Sequence, residues 1–156
     1  MELWELVARE EIRDTIIRYA HYADSGRAED FSGLFTEHAV LEISGGIVHR
    51  GRAEIRGMLE GAKTGVIERA KSTLIRHHNT NVLIEFDGPE RARTRLYFLA
   101  VMEDGADHWG RYRDVLVAQP DGRWRFQERV VRLDGHAPES WGGPEQDHFG
   151  PLHDTR

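Results

Sequence analysis

"LIRHHNTNVLIEFDG", residues 74–88, reads as one β-strand with an unusual beginning. In its second half Val82, Ile84 and Phe86 alternate with Leu83 and Glu85, and Asp87-Gly88 supplies a turn. Its first half carries His77, His78, Asn79 and Asn81. Successive side chains of a strand point to opposite faces, so His77 and His78 face opposite ways. Val82, Ile84 and Phe86 share parity with His78. If those three face a core, His78 is the inward histidine, unless a β-bulge shifts the register.

Three more strand-like segments follow: "ARTRLYFLAVME" (92–103), "HWGRYRDVLVAQ" (108–119) and "RWRFQERVVRL" (123–133). The connections "DGPE", "DGAD" and "PDGR" are turn chemistry. Upstream, "ELVAREEIRDTIIRYAHYADSG" has Ile12, Ile16, Tyr19 and Ala23 at helical spacing, with Gly26 as a stop. "DFSGLF" predicts a short helical turn, "AVLEI" a strand, and Gly45-Gly46 a hairpin into "IVHRG". "RAEIRGMLEGAK" predicts a second helix, with Ile55, Met58, Leu59 and Ala62 on one side. Helices first and consecutive strands later indicate an α+β domain with a largely antiparallel sheet, over residues 1–136. The Gly/Pro-rich tail, 137–156, keeps Trp141, Phe149 and Leu152. Those aromatics predict that it closes over a pocket mouth or a neighbouring subunit.

The totals bound the chemistry. With 156 residues, 39% hydrophobic and 31% charged, the chain suits one globular domain. A net charge of −6 argues against a nucleic-acid backbone as partner. There is no cysteine, which excludes disulfides, thiolate metal sites and cysteine nucleophiles. The acidic start "MELWELVAREE" lacks signal-peptide features, and no apolar run approaches the roughly 20 residues that span a bilayer. A cytoplasmic location is expected.

The order and spacing of "IRYAHYADSGRAEDFSGLFTEHAVLEI", "GRAEIRGML", "HHNTNVLIEFDG" and "GRYRDVLVAQPDGRWRFQERVV" resemble the nuclear transport factor 2-like, or SnoaL-like, superfamily, from about Leu6 to Leu133. The resemblance implies a cone-shaped α+β barrel, a strongly curved, mostly antiparallel sheet wrapped around N-terminal helices, with an open, largely apolar pocket. That superfamily includes scytalone dehydratase, a dehydrochlorinase, a bile-acid dehydratase, ketosteroid isomerase and polyketide cyclases. It also includes non-catalytic binding and accessory subunits, so fold alone does not give function.

In the dehydratase and dehydrochlorinase branch an aspartate ending the first helix pairs with a histidine opening a central strand. Asp24 and His77 fall at those positions. Tyr19, five residues before Asp24, matches the tyrosine of the bile-acid dehydratase, and Asp114 resembles a ketosteroid isomerase carboxyl in its spacing. The isomerase's proton-abstracting aspartate falls at Ile43, which counts against steroid isomerisation.

The resemblance thus implies a cofactor-free lyase of the dehydratase kind, or an isomerase, acting on a small, cyclic, mostly apolar substrate. The catalytic set is Asp24, His77, Tyr19 and Asp114; Tyr112, His78, Asn81 and Trp109 are the expected substrate-binding residues. Histidine suits a base near neutral pH, and a carboxylate on its other nitrogen fixes the tautomer. Tyr19 would donate to a carbonyl or leaving oxygen, and a buried Asp114 would act as a proton donor. Asp114 has a plainer reading as a cross-strand ion pair with Arg111, Arg113 or Arg129. No metal-binding motif is present, so neither metal nor cofactor is expected. The apolar "LYFLAVM" predicts a homo-oligomer, a trimer or dimer.

Overall fold

The computed structural model describes residues 1–44, 46–69, 74–138 and 140, with residues 63–69 through their backbone only. Trp141 and Phe149, on which the expectation for the tail rests, lie outside the described residues.

Helix α1, Leu3–Asp24, buries Ala8, Ile12, Thr15, Ile16, Tyr19 and Ala20, which recur at spacings of three and four. A capping box starts it: the Glu2 N–H donates to the Glu5 carboxylate at 3.0 Å. It stops where the Ser25 hydroxyl donates back to the His21 carbonyl at 2.6 Å and Gly26 turns to φ 65°. Helix α2, Ala28–Gly33, is the turn expected of "DFSGLF" and delivers Phe31 to the core. Helix α3, Gly51–Arg69, runs beyond the expected segment and buries Ile55 and Leu59.

Six strands form one sheet: β1 Phe35–Ile43, β2 Ile47–Arg50, β3 Ile75–Phe86, β4 Arg91–Met102, β5 Gly105–Ala118 and β6 Trp124–His136. Their order is β2-β1-β6-β5-β4-β3. Every neighbouring pair is antiparallel except β1 with β6. The sheet is not closed: β2 and β3 are its edges, so the cone is an open one rather than a complete barrel. The helices lie against one face. The Thr15 hydroxyl donates to the Trp124 carbonyl at 2.7 Å, pinning α1 to β6. Between helices and sheet sit Ile12, Ile16, Phe31, Phe35, Leu41, Ile55, Leu96, Leu116 and Phe126, each at most 1% exposed. Burying a side chain of this size stabilises the fold by roughly 1.5–3 kcal/mol.

Strand β4 shows why "LYFLAVM" is apolar throughout. Leu96, Phe98, Ala100 and Met102 are buried on the inner face, while Tyr97 is 54% exposed on the outer one. The outer face also carries Trp109, 40% exposed and paired with Leu99.

Candidate active site

Asp24 is the last residue of α1 and His77 is the third of β3, and the fold brings them together. The His77 ring Nδ1 lies 2.5 Å from Asp24 Oδ1. The His77 backbone N–H donates to the other oxygen, Oδ2, at 3.0 Å. Both carboxylate oxygens are thus committed to one histidine, its ring and its main chain. The side chains are 16% and 11% exposed, so the pair is largely withdrawn from water.

A bulge in β3 decides which histidine faces inward. Pairing with β4 shifts by one residue between Thr80 and Leu83. Asn81 sits in that shift with φ 56°, the left-handed conformation that asparagine tolerates better than most residues. Before the bulge Ile75, His77 and Asn79 face inward; after it Val82, Ile84 and Phe86 do. His77 therefore shares the core face with Ile84, despite its parity. His78 is exposed on the opposite face, and the expectation that it binds substrate is corrected. Asn81 is corrected likewise: it is exposed, and its part is to make the bulge. Trp109 stands on the outer face and is the third correction.

Below the dyad lies a buried charged cluster. Arg129, 0% exposed, donates from Nε to Asp114 Oδ1 at 2.7 Å and from Nη2 to Oδ2 at 2.8 Å. The Thr94 hydroxyl donates to Oδ2 at 2.7 Å. Asp114 thus takes the cross-strand ion pair with Arg129, one of the three partners its sequence offered, and both of its oxygens are already engaged as acceptors, which leaves neither to serve a substrate. The guanidinium lies 4.0 Å from the Tyr19 ring centre, 4.3 Å from that of Tyr112 and 4.1 Å from that of Phe126. Burial opposes its charge, but Asp114 holds it firmly protonated. Burial also raises the Tyr19 phenol, with Arg129 acting against it, and pushes the Tyr112 phenol well up. Both phenols therefore remain donors near neutral pH. Nη1 of Arg129 and Oδ1 of Asn79 are buried without a hydrogen-bond partner among the described residues. Buried polar atoms left unpaired are uncommon enough to need an explanation.

A second Asp–His pair stands beside the first. Nδ1 of His108 is 2.7 Å from Asp107 Oδ2, and the Ser140 hydroxyl donates to the same oxygen at 2.8 Å. The His108 ring centre is 6.0 Å from that of His77. Burial lowers the His108 pKa, with Asp107 acting against it.

A family model described as a SnoaL-like domain matches residues 4–130. The chain belongs to the SnoaL-like family. A candidate scytalone dehydratase from Novosphingobium aromaticivorans is 26% identical, with 88% of this chain and 91% of that one covered and a TM-score of 0.76. A nuclear transport factor 2-like protein with a cystatin-like fold, also from Novosphingobium aromaticivorans, is 28% identical over 86% and 87%, with a TM-score of 0.73. A Catenulispora acidiphila structure in complex with S-DNPA is 27% identical over 81% and 92%, with a TM-score of 0.69. No curated protein matches the chain.

Within this SnoaL-like frame, sequence reading treated Arg129 only as a possible ion-pair partner and did not single out Asp107 or His108. Arg129 leaves a trace in the sequence: an arginine at an inward-facing position between Phe126 and Val131. Asp107 leaves none, because it belongs to a turn motif and enters the site only through a second bulge. Pairing of β4 with β5 shifts between Ala100 and Val101, and both Asp107 and His108 are consequently buried. A groove of about 600 Å³ opens on the outer face, lined by Glu42, Glu85, Arg95, Glu128 and Arg132 among others, with Thr94 and Asp114 of the buried cluster also in its lining. Two of its walls are ion pairs, Glu85 with Arg95 and Glu42 with Arg132. Such a groove suits neither an apolar substrate nor the dyad's chemistry.

Proposed function

We propose that this SnoaL-like protein is a cofactor-independent lyase of the dehydratase kind, or an isomerase, acting on a small, cyclic, mostly apolar substrate with a carbonyl group. One observation carries the reading: both oxygens of Asp24 are committed to His77. A binding subunit has no use for a carboxylate that fixes the tautomer of one part-exposed histidine. With Nδ1 bonded to Asp24, Nε2 carries the lone pair and is the base.

The chemistry follows from the side chains. His77 Nε2 takes the proton from the carbon next to the substrate carbonyl, and Asp24 stabilises the imidazolium that forms. The C–H electron pair becomes the enolate, whose oxygen accepts from a buried donor; Tyr19 and the unpaired Nη1 of Arg129 are the candidates. Collapse of the enolate forms the C=C bond and breaks the C–O bond. His77 then returns its proton to the departing hydroxyl, which leaves as water. In isomerisation the same proton goes back to a different carbon. The similarity to a candidate scytalone dehydratase supports the elimination form.

The catalytic core of this reading is Asp24, His77 and Tyr19, with Tyr112 and Arg129 shaping and polarising the site. Residues 1–136 form the working domain. The outer-face residues Tyr97, Leu99 and Trp109 support a dimer or trimer formed through the sheet. Among the described residues no helix is long and apolar enough to cross a membrane, and the cytoplasm is the proposed location.

The test is a panel of cyclic β-hydroxy ketones, with loss of water followed by mass spectrometry for the wild type and Asp24→Asn. The proposal expects turnover that falls by roughly 10³–10⁴ in the variant, as when a triad histidine loses its carboxylate. Wild-type protein that binds panel members without converting any of them would favour a binding subunit.

A further inference from the structure

Two Asp–His pairs meet over a single alanine. Ala100 of β4 pairs with His77 on one side and with His108 on the other. Strands are spaced about 4.8 Å apart, so two steps hold the histidine backbones roughly 10 Å from each other. Ala100 is fully buried and offers only a methyl group between them. Both rings lean over it, to a centroid separation of 6.0 Å and an interplanar angle of 76°. Phe98 completes a triangle, 6.4 Å from His77 and 5.9 Å from His108.

His108 is fixed from behind. Asp107 holds its Nδ1, Ser140 donates to the same carboxylate oxygen, and the Ala137 N–H donates to the Asp107 carbonyl at 2.7 Å. Among the described residues the titratable groups around His108 are Asp107 on its own strand, His77 on β3 and its register partner His136 on β6, with Asp24 behind His77. A proton on either ring makes a cation. Two cations at this separation in a site poor in water repel strongly, so such groups titrate as a pair rather than independently.

We propose that the two pairs form one proton-holding unit, in which His77 takes the proton and His108, fixed by Asp107, is a positioning residue that stays neutral beside it. This deepens the reading of His77 as the base and rests on it. The geometry decides which ring is charged. His77 is the more exposed, with side-chain values of 16% against 9%, and its carboxylate bonds to it twice. Burial weighs against a charge on His108. The consequence for catalysis is that the abstracted proton does not move on to His108. His77 itself must return it to the leaving group or to another carbon.

Imidazole nitrogens of the ¹⁵N-labelled full chain, followed by NMR across pH, test this without any substrate. Expected is that His108 stays neutral to a pH below the ordinary imidazole range. In His77→Gln the His108 midpoint should rise by about one pH unit or more, since its competing cation is gone. Asp107→Asn should move the His108 midpoint down. A His108 midpoint that is the same in wild type and His77→Gln overturns the inference, as does simultaneous charging of both rings. Failure of the base assignment looks different: the coupled titration would stand, while His77 variants would still turn over substrate.

Discussion

Arg129 and Asp114 set the balance of energies at the residue scale. Each is an ion removed from water, and each is tolerable only because the other is there, with Thr94 and three aromatic rings around them. Removing one partner leaves an uncompensated buried charge. Asp114→Asn should therefore destabilise the protein by about 3–5 kcal/mol in denaturant unfolding, far more than loss of a surface pair such as Arg95 with Glu85. His108 makes a second prediction. Burial sets its folded pKa below its unfolded one, so the unfolded chain binds the proton first. This group costs nothing above about pH 6.5 and subtracts stability progressively as pH falls below that value. Urea midpoints measured from pH 7.5 down to 5 should fall less steeply in His108→Gln than in the wild type. Of these residues, the Asp24–His77 pair was legible from the family resemblance, and the Asp114–Arg129 pair as one of three possible cross-strand ion pairs. Asp107 was not legible, because nothing in "DGAD" separates a turn aspartate from a buried one.

At the scale of elements, β3 carries the lesson. Its existence and its limits follow from alternation and the closing Asp-Gly. Its facing does not, because one inserted residue reverses every side chain beyond it. Asn81 is that residue, and its identity is a weak hint, since asparagine adopts positive φ more readily than most residues. Deleting Asn81 removes the bulge and forces a choice between the two halves of the strand. Ile84 is 5% exposed in the core, and Phe86 packs on Trp4 and Trp124 at 5.2 and 6.0 Å, so the second half should hold. The first half should turn over, which sends His77 outward and His78 inward. The expected outcome is a folded protein by circular dichroism that has lost the hydrogen-bonded imidazole proton of the Asp24–His77 pair in its NMR spectrum. Retention of that signal would show that the bulge does not control the facing.

At the scale of the molecule, the sheet has two unlike faces. The inner one holds the aromatic core and both Asp–His pairs; the outer one is divided between ion pairs and the exposed Tyr97 and Trp109. The α+β order and the six strands were readable from turn chemistry and periodicity, and the sheet curved around the helices was what the family resemblance implied. That the sheet stays open was not, since closure depends on strand tilt and stagger that no local pattern encodes. Light scattering at micromolar concentration should return a dimer or trimer, and Tyr97→Glu together with Trp109→Glu should shift it toward the monomer. A wild-type mass near the 17.9 kDa of one chain would remove the proposed assembly.

The central claim is that His77, and not its neighbour, removes a proton from carbon. The direct measurement is deuterium uptake from heavy water at the carbon beside the carbonyl of a bound cyclic ketone, compared among the wild type, His77→Ala and His78→Ala. The account predicts enzyme-dependent uptake in the wild type, near-complete loss in His77→Ala, and a rate within a few-fold of wild type in His78→Ala. Uptake that survives in His77→Ala and disappears in His78→Ala would contradict it.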